Sequence, residues 1–244
     1  MGLLNSPSIV TDSLALCLDA ANAKSYPGSG TSWTDLSGNG RTTTLNAGPT
    51  YNSQNGGQIV LDGTDDYLSF ASPSPMAGTN LFTFEIWVNF TSITGNGGGS
   101  YKSAFMCAGG SNSGTNMPEI GITSANNTSF TPNLLVFGSG GGGTVGSLSI
   151  NVSSLITNGS WYQIVIARTG SATQVAYLNG VQIGTGTVSN SFADGQTDIG
   201  GLHQLSTWSG YLNGKISNVK IYSRALTGVE VARNFNALRG RFGI

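Results

Sequence analysis

Glu85-Ile-Trp-Val-Asn89 is the stretch where residue type and spacing first suggest chemistry. Residues two apart on a strand share a face, so Glu85, Trp87 and Asn89 would stand together, where paired carboxylates could serve as acid and nucleophile. Glycoside hydrolysis needs two such groups, and here a tryptophan and an asparagine follow a single glutamate. Glu119 and Glu230 are the only other glutamates in the chain. Glu85 is therefore expected to be a half-exposed strand residue with no catalytic partner. The one histidine, His203, has Asp198 and serines nearby in sequence. No Gly-x-Ser-x-Gly elbow accompanies it, and a loop hydrogen bond is its expected role.

Three further segments invite a ligand. Gly138-Ser-Gly-Gly-Gly-Gly143 satisfies the glycine spacing of a dinucleotide site. It leads into the strand-like run Val145 to Val152, whereas a pyrophosphate needs a helix N-terminus there. Asp62-Gly-Thr-Asp-Asp66 gathers three carboxylates, but its spacing is not that of a calcium-binding helix–loop–helix. A turn between two strands is the expectation, with no metal and no cofactor. Leu205-Ser-Thr-Trp-Ser-Gly210 places Trp208 among hydroxyls. There it either offers a flat apolar face to a sugar ring, with His203 and Tyr211 contributing, or covers the open end of the domain or a subunit contact. The second use is the commoner one.

Composition narrows the class. The chain has 244 residues, of which 37 are glycine and only 9% charged, against roughly 25% charged in an average domain. Many tight turns and few exposed helices are therefore expected. Ten lysines and arginines against eleven acids leave a net charge of −1, which gives no basic field for nucleic acid. No apolar run approaches the roughly 18 residues of a membrane span, and the start lacks the pattern of a secretory signal. Met1-Gly2 fits a loose myristoylation pattern without the polybasic segment that would support it. Cys17 and Cys107 lie inside separate strand-like runs and are expected to pack as small apolar groups.

The elements that must position these residues are short strands between turns. Asn-Gly, the strongest short hairpin signal, occurs at Asn39, Asn55, Asn96, Asn158, Asn179 and Asn213, and Asp62-Gly and Asp194-Gly add to it. Strand patterns run over Leu14 to Asp19, Gln58 to Leu61, Tyr67 to Phe70, Leu81 to Phe90, Ser103 to Ala108, Glu119 to Thr123, Leu134 to Phe137, Val145 to Val152, Trp161 to Arg168 and Thr173 to Leu178. Such spacing suits a sandwich. Between Ile216 and Val219 the apolar parity slips by one, which a β-bulge near Ser217 and Asn218 would absorb. One helix is predicted, opened by the capping box Thr227-Gly-Val-Glu230 and carrying Val231, Phe235 and Leu238 inward, with Arg233 and Arg239 near solvent. The tail Gly240-Arg-Phe-Gly-Ile244 either tucks Phe242 and Ile244 against the body or offers them, with Arg239 and Arg241, to a partner. The glycine-rich runs 95–100 and 138–143 read as loops within one domain spanning 1–244, with an N-terminal arm at 1–12 and the helix and tail at 227–244.

The order Trp161 to Arg168, Val175 to Ile183, Ile199-Gly-Gly201 and Tyr211 to Leu226 resembles the laminin G-like branch of the concanavalin A-like lectin/glucanase superfamily. The resemblance implies an all-β, two-sheet antiparallel jelly-roll sandwich with one short C-terminal helix. Glycosidases of that superfamily hold several carboxylates on one strand, and the corresponding strand here has only Glu85. Leu16 to Gly40, Gly48 to Ser53, Leu61 to Tyr67 and Asn234 to Ile244 look like the laminin G-like structural proteins of tailed bacteriophages. That likeness implies a non-enzymatic virion protein, assembled in the host cytoplasm, on the capsid surface or attached to the tail or fibre. Its partners would be major capsid or tail proteins, or copies of itself. The alternative is an adhesin that binds a host-surface glycan.

Overall fold

The computed structural model describes residues 7–70, 74, 76, 81–93, 101–108, 117–123, 133–140, 148–170, 172–187, 196–204 and 207–244; for 101–108, 117–118, 138–140 and 202–209 it describes the backbone. In chain order the strands are β1 (Leu14–Asp19), β2 (Ser32–Thr34), β3 (Thr42–Asn46), β4 (Thr50–Asn52), β5 (Gln58–Asp62), β6 (Tyr67–Phe70), β7 (Phe82–Phe90), β8 (Tyr101–Ala108) and β9 (Met117–Thr123). They continue with β10 (Leu134–Gly140), β11 (Leu148–Asn151), β12 (Trp161–Arg168), β13 (Thr173–Leu178), β14 (Val181–Thr187), β15 (Thr197–Ile199), β16 (Leu202–Gln204), β17 (Thr207–Ser209) and β18 (Asn213–Tyr222). One helix, α1 (Gly228–Leu238), closes the series.

The first sheet runs β14-β13-β12-β7-β18-β5-β4, with β1 also on β18, and the second runs β11-β10-β9-β8-β15-β6-β3-β2. Every pairing among the described residues is antiparallel. The chain is therefore the jelly-roll sandwich that the strand spacing predicts. Phe82, Phe84, Ile86, Val88 and Phe90 of β7 face inward and meet Leu68, Phe70, Ile120, Ile122, Leu135 and Phe137 of the second sheet in one core. Each such side chain stabilises the fold by about 1.5–3 kcal/mol when fully buried.

The expected bulge lies where the parity slips. The register of β18 on β7 jumps between Ile216 and Asn218. The jump divides β18 between two partners, its first half on β5 and its second on β1. At the junction Ser217 Oγ donates to Gly57 O at 2.6 Å. On the far edge, β14 closes against β11: a Cβ added to Gly186 would come within 2.5 Å of Leu148 Cα. Only glycine lets the two backbones approach so closely.

Two expectations are corrected. Glu85 is fully buried rather than half-exposed, because α1 and the tail cover the outer face of the first sheet and make a third layer there. The run after Phe137 is strand as far as Gly140, not loop, since its backbone pairs with Met117 to Glu119 of β9. Residues 1–6, 95–100, 141–147 and 194–195, and the side chain of Cys107, lie outside the described residues. Cys17 is free and buried, and burial pushes its thiol up to about 11.

Helix α1 begins as predicted. Thr227 Oγ1 accepts from the Glu230 amide at 3.3 Å while Glu230 Oε2 accepts from the Thr227 amide at 2.9 Å, a complete capping box. Val231 and Asn234 are the buried positions of the helix. Arg233 is exposed and donates to Ser8 O at 2.7 Å, and Arg239 is exposed as expected. The tail takes the first of its two alternatives at Phe242. That ring stacks on Trp87 with centroids 4.3 Å apart and meets Trp161 at 4.6 Å. Arg241 is also committed within the chain, to Asp19 at 2.7 Å, to the carbonyls of Asn55 and Gly57, and to Ser217. Ile244 remains 43% exposed.

Candidate functional site

The strand that invited a hydrolytic interpretation carries a sealed polar network instead. Lys220 Nζ donates to Glu85 Oε1 at 2.9 Å and to Asn218 Oδ1. Asn234 Nδ2 donates to Glu85 Oε2 at 2.7 Å and to the Tyr222 hydroxyl at 2.9 Å. Asn234 Oδ1 accepts the Val10 amide, and Tyr222 donates to Val10 O. Burial raises the Tyr222 phenol far above its ordinary value. Both carboxylate oxygens of Glu85 are occupied, and the side chain is buried away from solvent. This group joins the N-terminal arm, the sheet and α1, and it has no room for a substrate.

The accessible chemistry is on the other side of the sandwich. In β6, Leu68 and Phe70 belong to the core, so by the alternation of a strand Tyr67 and Ser69 stand on the outer face. Asp198 lies opposite Ser69 in the β15–β6 ladder, and its neighbour Ile199 is a core residue, which places Asp198 outward as well. Beyond β15 the chain passes Gly200 and Gly201, forms the β16–β17 hairpin and returns, where the Leu212 amide donates to Gly200 O at 2.8 Å. That closure fixes Tyr211 across from Gly201. A Cβ on Gly201 would lie 3.2 Å from both the Tyr211 ring and Tyr67 Cβ. No positive φ demands glycine at 201, so the residue serves to keep the space between the two tyrosines.

Of the residues the sequence singles out, His203 and Trp208 are directly opposite each other in the hairpin and Tyr211 is at its base. The side chains of His203 and Trp208 lie outside the described residues. Tyr67, Asp198 and Gly201 were not singled out. The signal that could have found Asp198 is its parity: a carboxylate between Thr197 and Ile199 in a strand whose other face is core. Asp198 is only 3% exposed. Burial drives its carboxyl up to about 6, against the opposing pull of Gln196, whose amide donates to Oδ1 at 2.7 Å. The Tyr67 phenol is raised by burial and by Asp198, and Tyr211 by burial, Asp65 and Tyr67.

Asp62, Asp65 and Asp66 border this end. The segment is the predicted turn: the Thr64 amide donates to Asp62 Oδ1 at 2.7 Å and the Asp62 amide to Asp66 Oδ2 at 3.0 Å. It also brings one oxygen of each carboxylate within 4.8 Å of the others. Burial, with Asp62 and Asp65 nearby, raises the Asp66 carboxyl despite the amide it accepts. A calcium ion takes about six to eight oxygens. Among the described residues only these three side chains converge, and two already hold backbone amides, so the set does not fit that ion.

Comparison with known proteins agrees with this architecture. The family model for the concanavalin A-like lectin/glucanase superfamily matches residues 62–232. No curated protein matches by sequence. A structure of botulinum neurotoxin type C, whose cell entry depends on interaction with two ganglioside molecules, superposes with a TM-score of 0.66 at 17% identity, over 94% of this chain and 52% of the toxin chain. The binding domain of botulinum neurotoxin DC with rat synaptotagmin II gives 0.65 at 18% identity, over 94% and 52%. Domain 4 of the extracellular arabinanase AbnA from Geobacillus stearothermophilus, in complex with arabinotriose, gives 0.60 at 18% identity, over 90% and 96%. The chain thus spans about half the length of the toxin chains it matches.

Proposed function

The chain belongs to the concanavalin A-like lectin/glucanase superfamily, and on that premise we propose that it is a glycan-binding domain without hydrolytic activity, its ligand held at the base of the β16–β17 hairpin. The observation that carries this is the gap that Gly201 keeps between Tyr67 and Tyr211, with the buried Asp198 beside it. Aromatic faces pack against the C–H surface of a sugar ring, and a carboxylate accepts its hydroxyls. Trp208 and His203, on the hairpin above, are proposed to extend the same surface. Related folds bound to arabinotriose or dependent on gangliosides support the class of ligand. The burial of Glu85 supports binding without turnover.

The test is a glycan array followed by calorimetry on any hit. Tyr211→Ala and Trp208→Ala are each expected to weaken binding by about 1 kcal/mol or more, the scale of a lost aromatic contact, with no reducing sugar released by the wild type. A blank array with a correctly folded protein would remove the proposal. A second proposal, a virion surface component contacting capsid or tail proteins, rests on the segments that look like phage structural proteins, and on Val229 and Ile244, which are 81% and 43% exposed. Finding the protein in purified particles by mass spectrometry, or failing to, decides that role independently of sugar binding.

A further inference from the structure

We infer that the site at the base of the hairpin takes an uncharged glycan, a neutral hexose or pentose oligomer, and rejects sialylated, uronic and sulfated sugars. This rests on the glycan-binding proposal above and adds the substrate class. Tyr67, Tyr211 and Gly201 give the site its shape, and every charged group shown to act on it is a carboxylate. Asp198 bears on Tyr67, Asp65 on Tyr211, and Asp62 and Asp65 on Asp66. Asp198 is 3% exposed and shares one oxygen with Gln196, and Asp62, Asp65 and Asp66 crowd within 4.8 Å. Carboxylates so placed accept hydrogen bonds from neutral hydroxyls, which only donate or share a proton. An anionic sugar would bring a like charge to a partly buried place, where repulsion is poorly screened and costs much more than in water.

The glycine at 201 limits the size of what enters. The gap is the width of a missing side chain, flanked by two rings, and suits the edge of one pyranose or furanose ring rather than a branched acidic terminus. Asp65 is exposed and takes no part in the two hydrogen bonds that define the turn, so it can be changed without unfolding the segment. It is the selectivity residue to alter.

The experiment measures binding of the full chain, in EDTA at pH 7.5, to matched pairs: lactose and sialyllactose, galactan and polygalacturonate, and neutral arabinan. Neutral members are expected to bind at least tenfold more tightly than their acidic partners. Asp65→Asn should narrow that ratio severalfold while leaving neutral affinity nearly unchanged, and 0.5 M salt should narrow it as well. Equal or tighter binding of the acidic member overturns the inference and leaves the glycan-binding proposal standing. An unchanged ratio in Asp65→Asn also overturns it, since the discrimination would then come from shape. Absence of binding to every pair removes both proposals together.

Discussion

Asp198 concentrates two demands in one side chain. Burial lifts its carboxyl from the ordinary 3.8 to about 6, so the folded state favours the protonated form. Its contribution to stability is complete below pH 3.8 and is lost as pH rises through about 6. A rise of that size corresponds to roughly 3 kcal/mol. Asp198→Asn is therefore expected to raise the melting temperature at pH 7.5, to change it little at pH 4, and to weaken glycan binding. Thermal melts at the two pH values check the first part, and calorimetry the second. Glu85 is the opposite case, a buried charge whose partners are all present. Lys220→Met leaves that carboxylate unpaired, and urea denaturation should show a loss of about 3–5 kcal/mol. The Lys220→Met, Glu85→Gln double variant should lose clearly less. The sequence could not reveal this pair, because Glu85 and Lys220 are 135 positions apart and their face looks like an ordinary solvent face until α1 covers it.

Elements whose signals are local were legible from the sequence. The capping box of α1, the Asn179-Gly180 hairpin and the bulge in β18 each depend on a few adjacent residues, and each lies where the pattern places it. Asn179 and Gly180 both have positive φ, 51° and 79°, as a type I′ turn requires. Thr227→Ala removes the hydroxyl that accepts the Glu230 amide and should cost about 1 kcal/mol in chemical denaturation. Elements defined by long-range closure were not legible. The β16–β17 hairpin has no alternating apolar run, and it is fixed by the Leu212 amide returning to Gly200. The contact between β14 and β11 is similar: nothing around Gly186 announces that Leu148 will lie against it. Gly186→Ala should force the two edges apart and lower the melting temperature by several degrees. Gly170→Ala, where an added Cβ meets nothing within 4 Å, should leave it unchanged.

At the scale of the whole molecule, the two faces of the sandwich are put to different uses. The outer face of the second sheet bears the tyrosine gap. The outer face of the first is closed by the N-terminal arm, α1 and the tail, which bury Val10, Tyr177, Tyr222 and Val231 in one cluster and Trp87, Trp161 and Phe242 in another. This division separates structural from recognition roles for the tail. Deleting residues 239–244 removes the Phe242 ring from Trp87 and frees the Asp19 and Ser217 side chains that Arg241 holds. Loss of Phe242 burial alone costs about 1.5–3 kcal/mol. The truncated chain is thus expected to melt several degrees lower and to show red-shifted tryptophan emission, as Trp87 and Trp161 meet water. Its glycan affinity should be unchanged, because Tyr67, Tyr211 and Asp198 lie on the other side of the core. Unchanged melting and emission, accompanied by loss of binding to a protein partner, would instead assign the tail to docking and make its packing on Trp87 incidental.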